Sequence, residues 1–287
     1  GREIPTDTFI GEPGWDRYDT EQSAYSVFFR HTITDKWRLS ANLRYTDGEA
    51  DYKSHWVAYD GADPIIADDG TVNRTIYDAP AISESFVWNA NLLGSLLTGP
   101  LEHELVLELD AQDVTIDTDS YYGFAAGGRI NIYEPEYGNL ATVFPVFDSP
   151  AQISEQIGIS LRDRITYDHW VVALGVRHDI VEAHNSGSDT LTIDESATTG
   201  SAGVLYQFEN GLNPYASWAE SFEPLGSTTG LDGSTIQLDP KRGTQYEVGL
   251  KYQVPDSDSL LTVAFFDIEE YERPISDGRF VRQENVN

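Results

Sequence analysis

Apolar and polar residues alternate with period two along most of the chain, and no stretch sustains the i, i+3, i+4, i+7 spacing of an amphipathic helix. Across residues 37–45 the alternation is unbroken: Trp37, Leu39, Ala41, Leu43 and Tyr45 occupy one phase, and Arg38, Ser40, Asn42 and Arg44 the other. Successive strand side chains point to opposite faces, so this run is a strand with one apolar and one wet face. Comparable runs cover residues 21–34, 83–96, 102–115, 156–167, 170–181, 198–208, 213–222, 245–254 and 260–269. The pattern predicts an all-β chain of about ten antiparallel strands, each near the roughly 9–11 residues that cross a bilayer at a tilt.

The connections alternate in length. Tight turns are expected at Asp35-Lys36, Thr98-Gly99-Pro100, Asp168-His169, Glu209-Asn210-Gly211 and Pro255-Asp256-Ser257-Asp258. Asn-Gly supplies the positive φ that hairpins require. Long loops are expected at 47–80, 110–150, 179–197 and 220–244. Short turns on one side and long polar loops on the other are the layout of an outer-membrane barrel. Arg44, Glu104, Glu108, Arg164, Arg177, Asp179, Glu247 and Lys251 fall on the polar phase of their strands, which suits a hydrated interior and not a lipid contact. The same alternation also describes a soluble antiparallel sheet with one face in water.

Composition narrows the classes further. Among 287 residues there are 18 basic and 48 acidic side chains, a formal charge of −30, with no Cys and no Met. The absent Cys excludes disulfides, thiolate metal sites and Cys nucleophiles, and the charge argues against nucleic acid as a partner. The longest apolar run, 170–176, is far short of the roughly 20 residues of a membrane helix. The four expected loops hold 24 acids and a net charge of −19. Aromatic residues make up 12% of the chain, and many gather in these loops or beside them.

Several segments carry a resemblance to a known family. They are Phe9-Ile10-Gly11-Glu12-Pro13-Gly14-Trp15-Asp16-Arg17-Tyr18, Ile130-Asn131-Ile132-Tyr133-Glu134-Pro135-Glu136-Tyr137-Gly138, and Glu155-Gln156-Ile157-Gly158 with Asp163 and Gly175-Val176-Arg177-His178-Asp179. Further along come Pro214-Tyr215-Ala216-Ser217-Trp218-Ala219-Glu220-Ser221-Phe222-Glu223-Pro224, then Gln245-Tyr246-Glu247-Val248-Gly249-Leu250-Lys251-Tyr252 with Ala264-Phe265-Phe266-Asp267-Ile268. In this order they resemble the TonB-dependent outer-membrane receptors, particularly the ferric-siderophore (ferrichrome-type) branch.

The resemblance implies an antiparallel transmembrane β-barrel of the 22-stranded type that surrounds a plug. Ten strands without a plug domain then imply a middle slice of such a barrel, with both ends in loops on the long-loop side. It further implies binding of a ferric siderophore, and a place in the barrel wall for TonB-energised import. The TonB complex would act through the plug that this chain lacks. Location is the bacterial outer membrane, among its lipid and lipopolysaccharide, with no enzymatic activity and no cofactor beyond the transported chelate. The alternatives are a small passive porin-like barrel and a secreted β-rich carbohydrate-active enzyme.

Candidate ligand contacts are the aromatics near strand ends on the long-loop side: Tyr52, Trp56, Tyr59, Tyr77, Tyr121, Tyr122, Phe124, Tyr133, Tyr137, Phe144, Phe147 and Phe222. Of these, Trp56, Tyr59, Tyr121, Tyr122, Phe124 and Tyr133 are the leading set. A bulky chelate offers few hydrogen-bond handles, so flat side chains with polar tips recover contact area at low entropic cost. The same residues also suit an interfacial girdle or packing between loops. Loops of net −19 are expected to favour neutral or cationic ferric hydroxamates over polyanionic catecholates.

Other chemistry is thinly represented. Asp60, Asp63, Asp68 and Asp69 offer oxygen ligands without the spacing of a calcium loop. The His residues at 31, 55, 103, 169, 178 and 184 show no metal-ligand pairing. Gly226-Ser227-Thr228-Thr229-Gly230 lacks the serine of a nucleophile elbow, and no phosphate loop is present. Asn73-Arg74-Thr75 fits a glycosylation acceptor but carries no expectation in a bacterial protein.

Overall fold

A computed structural model describes residues 3–61, 63–138, 147–229, 235–255, 257–276 and 281–286. Phe144, Gly230 and Asp256, named above, lie outside them. The elements in order are β1 (Arg17–Thr34), β2 (Trp37–Val57), β3 (Tyr59–Asp60), β4 (Asp63–Pro64), β5 (Thr71–Thr98), β6 (Leu101–Thr118), β7 (Tyr121–Gly123), β8 (Arg129–Asn131) and β9 (Gln152–Tyr167). They continue as β10 (Trp170–Asn185), β11 (Leu191–Tyr206), β12 (Leu212–Glu223), β13 (Ser227–Thr229), β14 (Thr235–Gln237), β15 (Lys241–Gln253), β16 (Leu260–Ser276) and β17 (Val281–Val286). Every regular element among the described residues is a strand. The main sheet runs β1-β2-β5-β6-β9-β10-β11-β12-β15-β16-β17, with β7 and β8 each paired to β5.

All ten expected strands are present, but they are longer than the alternation indicated, and the expected loops are shorter. β2 reaches Val57, β5 begins at Thr71, β6 continues to Thr118, and only residues 186–190 separate β10 from β11. Clean alternation requires one face in lipid or core. In these extensions both faces carry polar groups, so the backbone stays paired after the pattern has faded.

The chain forms two compact units: residues 1–25, 45–85 and 114–152 in the first, and 26–44, 86–113 and 153–287 in the second. The first has a small core of Val72, Ile130 and Ile132, with Ile10, Val57 and Tyr133 packed against it. Val72 lies opposite Ile130 in the β5–β8 ladder, so the two side chains share a face.

In the second unit the strands are joined by the expected short turns. Gly211 closes one of them with φ +84, and a Cβ there would stand 2.2 Å from the Gln253 carbonyl oxygen, so only glycine fits. Polar-phase side chains pair across strands, Arg164 with Glu104 at 2.7 Å and Arg162 with Glu108 at 2.9 Å. The opposite phase presents Leu107, Leu109, Ile159, Leu161, Leu174 and Val176, all exposed.

Candidate functional site

Within the first unit the two strand faces differ in charge. Counting by twos, one face carries Arg17, Asp19 and Glu21 of β1, Asp47, Glu49, Asp51 and Lys53 of β2, Asp78 and Glu84 of β5, and Asp117 of β6. Its ions meet across strands: Arg17 Nε donates to Asp51 at 2.6 Å and Lys53 Nζ to Asp78 at 3.0 Å. The other face carries Tyr18, Thr20 and Gln22, then Ala50, Tyr52, Ser54 and Trp56, then Thr75, Tyr77, Ala79, Ala81 and Ser83. In these stretches of β1, β2 and β5 that face carries no Asp, Glu, Lys, Arg or His, while Arg129 of β8 lies on it opposite Asn73.

On that face the aromatics form one continuous row. Tyr18 and Tyr52 meet edge-on with ring centroids 5.4 Å apart, and Tyr52 meets Tyr77 at 5.7 Å. Trp56 bridges Tyr77 at 6.2 Å and Tyr122 at 6.1 Å. Backbone pairing explains the assembly, since Tyr77 lies directly opposite Tyr122 in the β5–β7 ladder. The row's ends are open, Tyr18 being 70% exposed and Tyr122 58%. Neutral rings with hydroxyl tips, among Ser, Thr and Gln, can hold a flat or globular uncharged ligand by area and a few hydrogen bonds.

Behind the row, on the charged face of β5, lies a buried ion pair. Arg74 is fully buried; its Nη1 donates to the Gly11 carbonyl at 3.0 Å and to Glu12 Oε2 at 3.1 Å, and its Nη2 to the same carboxylate oxygen at 3.2 Å. The other Glu12 oxygen accepts from the Gly138 amide. Tyr137 donates to the Phe9 carbonyl at 2.9 Å and Thr8 to the Ile132 carbonyl at 3.1 Å. The segments around Gly11-Glu12-Pro13 and Pro135-Glu136-Tyr137-Gly138 are therefore fastened together, with Arg74 at the junction. Gly11 is required there, because a Cβ would come within 2.3 Å of Asp16 Oδ2.

Asp16 in turn holds His55, accepting its backbone amide at 2.9 Å and bonding Nδ1 at 2.6 Å. Burial pushes the His55 imidazole below its ordinary value of 6.5, outweighing the opposing pull of the Asp16 carboxylate. The ring is thus neutral at pH 7, with Nδ1 donating to Asp16. Its Nε2 has no hydrogen-bond partner, which removes a site that would stabilise the charged form.

The second unit has its own polar centre. Arg177 makes a two-bond contact to Asp110 at 2.8 and 2.9 Å and reaches Asp179 at 2.6 to 3.0 Å, while Gln156 donates to Asp179 at 3.0 Å. Gly158 makes room for the guanidinium: a Cβ on it would stand 2.1 Å from Arg177 Nη2. The planar fork of arginine matches the carboxylate geometry, so the cluster ties β6, β9 and β10 together on their polar face.

Residues 2–280 match a family profile described as the TonB dependent receptor-like β-barrel. The chain belongs to that family. Among curated relatives, the ferrioxamine B receptor of Salmonella typhimurium is 28% identical over 280 residues, an alignment covering 94% of this chain and 37% of that protein. The ferrichrome outer membrane transporter/phage receptor of Escherichia coli K12 is 26% identical, covering 96% of this chain and 39% of the other. This receptor chain thus spans well under half the length of the curated relatives it matches. The closed form of the ferric-catecholate import receptor Fiu from E. coli K12 has the same fold, with a TM-score of 0.76 at 19% identity over 98% of this chain and 45% of that one. The siderophore receptor PiuA from Acinetobacter baumannii superposes equally well, with a TM-score of 0.76 at 19% identity over 98% of this chain and 44% of that one. Family membership places the receptor in the bacterial outer membrane, so the exposed apolar phase of its strands faces lipid.

Of the six leading aromatics, the receptor's fold joins Trp56 and Tyr122 in the row. Tyr121 sits opposite Asp78, on the other face of the ribbon from Tyr122, and stacks with Phe147. Consecutive strand residues cannot share a face, so the two tyrosines separate. Tyr133 packs on the small core, Tyr59 lies in β3, and Phe124 is 55% exposed just beyond β7. From the wider set Tyr52 and Tyr77 join the row, Tyr137 pairs with Phe9, and Phe222 lies under the Arg242 guanidinium. Tyr18 was not anticipated, although its parity matches that of Tyr52. Arg74 was passed over as a glycosylation look-alike. A charge interrupting the apolar phase Val72, Arg74, Ile76, with Glu12 fixed in a family motif, was the available signal. Of the loop acids, Asp69 accepts the Thr71 amide at 2.9 Å as a turn cap, and this bond lowers its carboxyl below the ordinary value.

Proposed function

We propose that this chain forms part of the wall of a siderophore receptor, and that the row Tyr18, Tyr52, Tyr77, Trp56 and Tyr122 captures the ferric chelate. The observation that carries this reading is the charge partition: the stretches of β1, β2 and β5 that hold the row carry no ionic side chain on its face, while their acids occupy the opposite face. Selectivity then follows from the neutral aromatic face and not, as the bare count of loop acids suggested, from the sum of loop charge. A neutral ferric hydroxamate loses little on leaving water for such a surface, whereas a trianionic catecholate meets no cation within the row itself to replace its hydration. Relatives named for ferrioxamine and ferrichrome support the hydroxamate class.

Import would draw energy from the TonB complex through a plug in the parent receptor, with this chain as barrel wall among outer-membrane lipid and lipopolysaccharide. Relatives named as receptors and a transporter support a role in capture and passage and not in bond breaking.

The test uses the full-length receptor and fluorescence quenching on titration with ferrioxamine, ferrichrome and a ferric tricatecholate. Trp56→Ala and Tyr77→Ala should each weaken hydroxamate binding by about tenfold or more, the scale of a buried aromatic anchor. Tighter binding of the catecholate, or hydroxamate affinity unmoved by both variants, would refute the assignment.

A further inference from the structure

The lipid-facing side of the second unit carries a groove of about 240 Å³ lined by Phe86, Trp88, Ala111, Ile157 and Ile180, together with Asp113, Glu155 and Glu182. These residues fall into two levels. In β6, β9 and β10 the acid stands two residues from an apolar neighbour on the same face, in the pairs Ala111/Asp113, Ile157/Glu155 and Ile180/Glu182. β6 and β10 run away from the short turns and β9 runs toward them, so in all three strands the acid lies on the loop side. A switch from apolar to acidic at one level in three strands marks the depth at which the barrel leaves hydrocarbon for headgroups.

Below that level the groove opens onto exposed apolar side chains: Ile157 is 61% exposed, Ile180 45%, and Leu109, Ile159 and Val176 continue the surface. In a membrane, an acyl chain matches the chemistry of such a cleft. Its rim is acidic and no basic side chain lines it. Among the described residues no three acidic or His side chains close around a common metal position. A cationic group carried by the lipid itself would complement the rim.

We propose that this groove is a binding site for an aminated outer-leaflet glycolipid, with one acyl chain lying along Trp88, Ala111, Ile157 and Ile180 and its ammonium group at Asp113, Glu155 and Glu182. The inference rests on the membrane placement of the barrel and is independent of the chelate.

The experiment uses the full-length receptor in nanodiscs of zwitterionic lipid, with EDTA present. Hexa-acylated lipid A is offered with and without aminoarabinose on its phosphates, and native mass spectrometry counts the lipid retained. The aminated form should be retained at least fivefold over the unmodified form, and the preference should disappear in D113N/E155Q/E182Q. Ala111→Phe, which fills the cleft without touching charge, should lower retention of both lipids and serves alone if the triple variant does not fold. Equal retention of the two lipids, a preference for the unmodified form, a preference that survives the triple variant, or unchanged retention in Ala111→Phe would each overturn the proposal. Ferrioxamine titration of the same preparation reports on the aromatic row, so its failure would count against that assignment alone.

Discussion

Removing the Arg74 guanidinium offers a direct test of how the first unit is held together. In Arg74→Met the stem volume is largely kept, but all four donated bonds to Ile10, Gly11 and Glu12 are lost. Glu12, with its side chain only 6% exposed, would keep the Gly138 amide as a partner and lose its counter-charge. Stranding one member of a buried pair costs about 3–5 kcal/mol. That corresponds to a roughly 10²- to 4 × 10³-fold increase in the opening of residues 8–16 from the unit, at about 1.4 kcal/mol per decade. Hydrogen exchange of the amides at Trp15, Asp16 and Ile132 in the full-length receptor reads this opening. The double variant Arg74→Met/Glu12→Gln should recover much of the loss, because it leaves no buried charge. An Arg74→Met cost below about 1 kcal/mol, or a double variant worse than the single, would show that the ion pair does not hold this junction.

Three further outcomes are expected. His55 has its proton affinity depressed in the folded state, so the unfolded chain binds protons more readily; stability of the first unit should be full above the ordinary value of 6.5 and decline as pH falls below it. The exchange rates of residues 8–16, followed from pH 8 to 5, should rise on the acid side, and His55→Gln should flatten the profile. Gly158→Ala should lower thermal stability by about 1–3 kcal/mol through a clash with the Arg177 guanidinium, and Gly158→Ala/Arg177→Ala should cost less than the sum of its single variants. Asp51→Asn, on the charged face, should leave hydroxamate affinity within about twofold in the fluorescence titration, since surface pairs contribute about 0–1 kcal/mol and this one faces away from the row.

The strands were legible where one face meets lipid, because alternation there is enforced. They were illegible where they continue with two polar faces, as in residues 46–57 of β2. Tyr52 and Trp56 were readable as ligand candidates from their distance beyond the apolar run. Their union with Tyr18 and Tyr77 was not, because it depends on which strands become neighbours, a property of the β1-β2-β5 order and not of any one segment. The side on which the acids lie is hidden in the sequence for the same reason. Counting loop charge ignores parity, and parity puts Asp47, Glu49 and Asp51 on the face opposite Tyr52 and Trp56. Arg74 escaped notice because its partner Glu12 lies 62 positions away.

The fit between Gly158 and Arg177 also constrains how such a chain can change over generations. A side chain at position 158 would displace the guanidinium beside it, 2.1 Å from where a Cβ would begin, and the guanidinium in turn balances the charges of Asp110 and Asp179. A replacement at Gly158 brings a clash, and loss of Arg177 leaves an unbalanced pair of acids. Positions 110, 158, 177 and 179 are therefore expected to be inherited as a block, each silent about the others in a single sequence and informative only when lineages are compared.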